Sequence, residues 1–535
     1  MCTLICITAF LCGLPTPGHA GNPDDLDLPP IIFEPLGSAT DVMPSDRFVM
    51  LQTDDTADFA IQSNQILPEP PIELGGTMEP ANEGGTEVSE DNEISSDSGF
   101  KALKERLEAL EKEFEAQAKK AQKEKEAKAK KSTFKLNGRV HLDQWSFFEA
   151  DDGIATLEGE DPEDRWDFRR IRMEFSGTVP NNMLWRMQLD FNNPSNAEMK
   201  DVYLGFNGLP HNQTLLIGNQ KRPIGLDHLN SSRHNVFSER PLAVETFNED
   251  ARRLGACMYG HTDDDSLNWQ YGVFLLENIN RDGRYRGDFD EGGLYGRVSA
   301  SPWYDEISGG RGYLHLALAG SVNTVDGDGT VDDDDNANEA RFRTRPAARS
   351  NERWWNTGRI LGAQNYEQLA YEMMLNIGAF QLTSEYFGNW VQRDPFGGFI
   401  GDDLFFHGGY IFAHYFVTGE HIPLKQRVGT IDRVKPFENF FVVDRCGGGT
   451  GTGWGALGLG VRLDYLDLTD SDIQGGDGHM ITAVANWYWT AYSKLQTNIG
   501  WGDIDDAGEN IAGGPGLNGV DGDFSLLGMR YMIDF

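Results

Sequence analysis

Residues 524–535 read FSLLGMRYMIDF. Counted back from the end, Phe535, Ile533, Tyr531, Met529 and Leu527 are large and apolar, while Asp534, Arg530 and Gly528 fall between them. That is the period of a β-strand with one greasy face and one wetter face, and it closes on an aromatic residue. A sheet in a soluble protein shows the same alternation. The stretch therefore leaves two readings open, a soluble sheet and the wall of a membrane barrel, and the remaining residues choose between them.

The chain has 535 residues, 39% of them hydrophobic, with 62 Gly and 11% aromatics; its mean hydropathy is -0.47. No uncharged apolar run of about 18 residues follows the amino-terminal segment, which argues against transmembrane helices. A transmembrane barrel stays open, because its strands are half polar and their hydropathy signal is weak. The glycines and aromatics suit many short strands, tight turns and interfacial aromatic girdles. The net charge of -38 argues against nonspecific nucleic-acid binding through a basic surface.

Four segments follow from composition. Residues 1–20 are apolar and end Gly18-His19-Ala20, an acceptable signal-peptidase site, although no Lys or Arg precedes the apolar stretch. A lipoprotein reading at Cys12 is disfavoured by bulky Phe10 and Leu11. Cleavage removes Cys2, Cys6 and Cys12, leaving Cys257 and Cys446 as one potential disulfide but no framework. Residues 21–99 carry 18 Asp/Glu against the single Arg47. Such a segment buries too little apolar surface to offset its ordering entropy and is predicted to be a disordered acidic linker. Within it, residues 29–33 (PPIIF) read either as plain linker or as a docking peptide. In residues 100–131, Phe100, Leu103, Leu107, Leu110 and Phe114 recur at heptad spacing among Glu and Lys, predicting a coiled-coil helix that self-associates. The alternative is a single charged helix lying on the periplasmic side.

From residue 134 to 535 strands and turns follow one another. Lys135, Asn137, Arg139, His141 and Asp143 alternate with Phe134, Leu136, Val140 and Leu142. Arg170, Arg172 and Glu174 alternate with Ile171, Met173 and Phe175, and Arg186, Gln188 and Asp190 with Trp185, Met187, Leu189 and Phe191. A fourth strand surrounds residues 202–206. Twelve more are expected near 213–221, 251–260, 267–277, 292–302, 311–323, 364–376, 378–388, 405–419, 454–468, 478–490, 491–501 and 523–534. Sixteen antiparallel strands, an even number, with short and long connections in alternation form an all-β transmembrane barrel. Two connections stand out. Residues 325–361 hold the run Asp332 to Asp335 and six arginines, and are expected to be a solvated extracellular loop; the acidic run lacks the glycine and terminal Glu of a calcium loop. Residues 221–253 are locally basic, with Lys221, Arg222, Arg233, Arg240, Arg252 and Arg253.

The stretches FKLNGRVHLDQW (134–145), DFRRIRMEFSGTV (167–179), GNQKRPIGLD (218–227), YIFAHYFVTGE (410–420), GALGLGVRLDYLDLTD (455–470), NWYW (486–489) and MRYMIDF (529–535) occur in an order that resembles the phosphate-selective porins of the O and P type. The resemblance covers 134–535. It implies a homotrimer of 16-stranded barrels in the lipid of an outer membrane, each with an aqueous pore narrowed by basic side chains that pass phosphate or other small anionic solutes. Arg169 and Arg170 match the paired arginines of the family's second strand. Arg139 and Arg222 match more loosely, and Arg252 and Arg253 follow as further rungs. Arg172 and Arg186, on the polar phase of strands two and three, and Lys221 complete the candidate pore-lining, anion-binding set. The sequence departs from the family in having six barrel lysines and a net barrel charge of about -25. A basic constriction inside an acidic shell is compatible with this, because a pore samples local rather than net charge. The competing reading is that these arginines pair with Glu174, Asp190 and Asp201 and only stabilise the lumen.

Two other functional classes compete with a porin. In one, the chain is a structural anchor whose linker and helix (21–131) hold the cell wall or a periplasmic protein. In the other it is an enzyme. His141, His315, His407 and His414 fall on strands without a Ser/His/Asp or His/Glu spacing, and there is neither a glycine-rich phosphate loop nor a Cys/His metal cluster. No enzyme activity, cofactor, metal or nucleic-acid partner is expected. Without a globular plug domain, an energised transporter is a minor alternative.

Overall fold

The computed structural model describes residues 131–535, apart from 181, 194, 250, 281–291, 326–339, 347, 396–400, 442, 445–448 and 509–518, together with scattered positions between 104 and 120. The proposed signal peptide and acidic linker, and Cys446, lie outside the described residues. Cys257 is buried. The described positions between Lys104 and Lys120 are helical and exposed.

Sixteen antiparallel strands close into one barrel in sequence order. They are β1 (Lys135–Ala150), β2 (Arg165–Val179), β3 (Met183–Asp190), β4 (Glu198–Leu209), β5 (Gln213–Lys221), β6 (Arg252–His261), β7 (Leu267–Leu275), β8 (Gly292–Tyr304), β9 (Gly312–Thr324), β10 (Ala363–Ile377), β11 (Phe380–Arg393), β12 (Leu404–Phe416), β13 (Ala456–Asp470), β14 (Ile473–Thr490), β15 (Ser493–Ala507) and β16 (Val520–Asp534). Each expected strand corresponds to one of these.

The terminal stretch forms the seam. β16 pairs with β1 from Arg139↔Asp534 to Ala150↔Phe524. Tyr531 and Ile533 are exposed on the outer face, whereas Arg530, Met532 and Asp534 are buried inside. The period-2 alternation thus places apolar side chains outward and charge inward, the inverse of a soluble barrel. Phe535 extends the pairing beyond β16: its N–H donates to the Gly138 carbonyl (3.0 Å) and its carbonyl accepts from the Gly138 N–H (2.9 Å). The Phe535 ring lies over Gly138, where a Cβ would sit 2.3 Å from Cζ.

Connections at the end that carries Phe535 are mostly tight turns, and those at the opposite end are mostly long. One pair breaks the rule. β13 and β14 are joined at the far end by residues 471–472 alone, while β12 and β13 are joined at the Phe535 end by residues 417–455. The expected solvated loop at 325–361 also behaves differently. In its described part Ala340, Phe342, Trp354 and Trp355 are buried. Phe342 packs edge-on against Tyr366 (centroids 5.4 Å apart), and Trp354 packs edge-on against Phe524 (5.3 Å). Composition marked the segment as charged, but its apolar residues are spaced to dock on the barrel's inner wall, and that burial outweighs solvation of the arginines between them.

Candidate functional site

The interior is asymmetric, and the connection 222–251 makes it so. It carries two short helices, α1 (Leu226–Leu229) and α2 (Leu242–Phe247), and every residue of α2 is buried. Phe247 stacks on Phe387 of β11 (6.0 Å), and Phe237 packs on Phe412 of β12 (5.4 Å). These aromatics hold the connection to the β11–β13 wall by apolar burial. Polar anchors fix its position. The Glu385 carboxylate accepts from the Leu226 N–H (2.5 Å), the Asp227 N–H (2.7 Å) and the Tyr410 hydroxyl (2.6 Å). Arg462 donates to the Glu239 carbonyl (2.9 Å), and Gln496 to the Val236 carbonyl (3.0 Å). The connection therefore crosses from its origin beside β5 and β6 to strands on the far side.

The opposite wall, β1–β6 with β16, bears the charge. Arg169 forms a two-pronged pair with Glu239 of the connection (2.8 and 3.0 Å). Arg530 joins it, bonding both Glu239 (2.5 Å) and Asp143 (2.7 and 2.6 Å). Arg172 pairs with Asp190 (2.6 Å), Arg186 with Glu174 (2.6 Å), and Arg252 with Asp201 through two 2.9 Å bonds. Arg139 donates to the Ser232 hydroxyl (2.9 Å). Lys221 donates to the His228 and Asn230 carbonyls, Arg222 to the Glu249 carbonyl (2.9 Å) and the Tyr295 hydroxyl (3.2 Å), and Arg253 to the Leu276 carbonyl. Arg170 is buried beside them and adds to the positive field at Glu239. The nine candidates thus lie inside the barrel. At least four of them are matched to carboxylates: Arg169 to Glu239, Arg172 to Asp190, Arg186 to Glu174 and Arg252 to Asp201.

Titration of the connection follows from this field. Burial pushes the Glu239 carboxyl up, but Arg169 and Arg530 outweigh burial and hold it well below the carboxylate range. Among the described residues neither carboxylate oxygen of Glu245 has a hydrogen-bond partner. Burial first, and then the Glu239 charge, push it up to about 8. Burial, then Lys221 and Arg240, push His228 well below its ordinary value.

Several interior charges were not among the candidates. Arg297 pairs with Glu372 (2.8 and 2.6 Å), and its guanidinium also donates to the Gly429 carbonyl (2.9 Å) of the 417–455 connection. Gly429 has φ 62°, and a Cβ there would lie 2.4 Å from the Ser299 hydroxyl, so only glycine fits this close approach. Arg343 and Arg353 of the 325–362 connection both reach the Glu249 carboxylate. Arg530 had a legible signal, since the alternation of the terminal stretch puts it on the wetter face. Arg297 had the same signal, because it falls on the inward phase of the strand expected at 292–302, opposite to Leu294 and Val298. Arg353 had none, because it lies on a connection whose inward course is not periodic. Among the described residues no group of His, Cys, Asp and Glu is arranged to hold a metal ion.

A model of the family "phosphate-selective porin O and P" matches residues 134–535. The chain belongs to this family. It is an outer-membrane porin built on a 16-stranded barrel. An uncharacterized protein of Caulobacter vibrioides is 26% identical to the porin over 426 residues, covering 75% of this chain and 74% of the relative. Solved structures similar to the porin include OmpT, an outer membrane protein of Vibrio cholerae (TM-score 0.41, 10% identity, 75% of this chain and 97% of that one). They also include an anion-selective porin from Comamonas acidovorans (TM-score 0.42, 11% identity, 75% and 100%). The family assignment rests on the match over 134–535 and not on these likenesses.

Proposed function

We propose that the porin gives passive diffusion to small hydrophilic solutes and prefers small anions, phosphate and other oxyanions among them, along the charged wall of β1–β6 and β16. One observation carries this reading. Among the described residues, the buried set holds seventeen Arg and Lys against twelve Asp and Glu, in a chain whose net charge is -38. The interior is locally basic although the whole is acidic, and a permeating ion responds to the interior. Guanidinium forks match the oxygens of phosphate and carboxylate. Pairing of Arg169, Arg172, Arg186 and Arg252 with carboxylates weakens each contact with a passing anion, and conduction needs weak, repeated contacts. Replacing Arg170 with Ala removes one unit of this field. Anion-over-cation permeability is expected to fall about fivefold, the effect of roughly 1 kcal/mol for a unit charge at 4 Å in water. Reversal potentials in a salt gradient that do not move would refute the preference.

The porin is further proposed to be a homotrimer whose amino-terminal helices associate. Leu107, Leu110 and Phe114 are 59%, 57% and 61% exposed, an apolar heptad seam left uncovered in one chain. Heat-modifiable migration of a trimer on a gel is expected, and a monomer in gentle detergent would count against it.

A further inference from the structure

A groove of about 440 Å³ opens on the outer wall of the barrel, across β8, β9 and β10. That is the size of a ligand cleft. Its floor is backbone. Gly296 of β8 faces Gly320 of β9, and Gly320 faces Leu369 of β10. Both glycines fall on the outward phase, so two neighbouring strands present no side chain there. The row toward the long connections is bulky, with Leu294, Val322, Glu367 and Trp390 in register. So is the row on the other side, with Val298, Leu318 and Tyr371. Among the described residues no neighbour fills the gap between these rows: a Cβ on Gly296 would meet nothing within 4 Å. Farther along the glycine row, the Trp390 ring covers Gly388 of β11, 2.9 Å from where its Cβ would sit, and closes that end of the groove.

Depth and chemistry identify the occupant. Leu294 lies near the start of β8 and Val322 near the end of β9, at the barrel end opposite Phe535, and the long connections there mark the extracellular side. The groove therefore lies in the outer leaflet. Leu294, Val298, Leu318 and Val322 around it are 51–62% exposed, an apolar surface that meets lipid tails. Glu367 and Trp390 face each other across β10 and β11, and both are exposed at the upper rim. A tryptophan there belongs to the headgroup level. A carboxylate at the same level, bordering an apolar groove, is complementary to an ammonium headgroup. Inside a bilayer every tail is apolar, so preference for one lipid comes from close packing and from its polar end. The convex wall of a second barrel cannot follow a groove two strands wide, about 10 Å, whereas an acyl chain can. We propose that this groove is a lipid-binding site of the outer leaflet: it seats one acyl chain over Gly296 and Gly320 and sets the ammonium headgroup of the same lipid against Glu367. The site lies on the opposite face of the wall from the pore and is independent of which solute the porin passes.

The test titrates the full chain, folded in detergent micelles, with phosphatidylethanolamine that carries brominated acyl chains, and reads the quenching of tryptophan fluorescence. Phosphatidylglycerol with the same chains is the headgroup control. Trp390 borders the groove, so Trp390→Phe is expected to remove the saturable part of the quenching. The native protein is expected to half-saturate at about threefold less phosphatidylethanolamine than phosphatidylglycerol, the size of one exposed charge pair. Gly296→Leu puts a side chain into the open space and is expected to weaken binding of both lipids about tenfold, the loss of roughly ten packed heavy-atom pairs. Glu367→Gln is expected to erase the headgroup preference and keep chain binding. It changes an exposed residue, so it keeps the test decisive if Gly296→Leu fails to fold, which heat-modifiable migration checks. Native affinity in folded Gly296→Leu, or saturable quenching that survives Trp390→Phe, would overturn the site. Equal affinity of the native protein for the two lipids, or an unchanged preference in Glu367→Gln, would overturn the role of Glu367. Loss of the trimer in Gly296→Leu with unchanged quenching would give the groove to a second copy of the chain and overturn the proposal.

Discussion

Replacing Glu239 with Gln is expected to raise anion-over-cation permeability about fivefold, the opposite of Arg170→Ala and of the same order, since one unit of charge at about 4 Å is involved in both. Glu239 is the carboxylate that joins the 222–251 connection to the charged wall. Arg169 bonds it with both prongs, and Arg530 bonds it while also holding Asp143. Arg530 keeps Asp143 when Glu239 is neutralised, but Arg169 loses its two-pronged contact with a charged carboxylate, so the local field becomes more positive. The same change is expected to cost about 3–5 kcal/mol of stability, as breaking a buried pair by removing one partner does. The pH dependence carries a sign. The Arg169 and Arg530 charges overcome burial and depress Glu239 relative to its unfolded value. Its contribution is therefore present at neutral pH and is lost as pH falls through and below the ordinary carboxylate range. The Gln variant should lack that component in an acid unfolding series. Reversal potentials that shift toward cation preference in the variant would show that Glu239 does not set the interior field.

Deleting Phe535, or replacing Gly138 with Val, is expected to prevent most of the chain from closing into a barrel. The two residues make one contact. Phe535 and Gly138 exchange both backbone hydrogen bonds at the end of the β1–β16 seam, and the ring occupies the space where a Cβ of residue 138 would go, 2.3 Å from Cζ. An open seam exposes a row of unpaired backbone groups, each costly in lipid. The Val variant adds a branched side chain where the ring must lie, so the ring or the seam has to move. The yield of heat-modifiable barrel in the membrane is the measurement, with conductance of any barrel that forms as the second. Normal yield from both variants would show that the terminal aromatic is dispensable for closure.

How much was legible divides along local and nonlocal lines. The sixteen strands were readable because each carries its own period-2 signal, and a barrel wall is the repetition of that signal. The inward phase of Arg139, Arg170, Arg172, Arg186 and Arg530 followed from the same alternation. Their partners followed in part, since Glu174, Asp190 and Asp201 sit on neighbouring strands at the same phase. Nothing local announced that 325–362 folds inward. Charge dominates its composition, whereas Phe342 and Trp354 decide its course through contacts with residues far away in sequence. The same holds for 417–455, whose Gly429 reaches Arg297 from the end of the barrel where tight turns were expected.

The sequence by itself determined the wall: the number of strands, which face of each meets lipid, and the greasy outer face of the terminal stretch FSLLGMRYMIDF. Strand periodicity is a local property of the chain, so it can be read without coordinates. Only the tertiary structure decided the interior. It brought Glu239 between Arg169 and Arg530, and it set the Gly429 carbonyl against the Arg297 guanidinium. Those sites join segments far apart in the sequence, and their charge balance is set by three-dimensional proximity, which no period along the chain encodes.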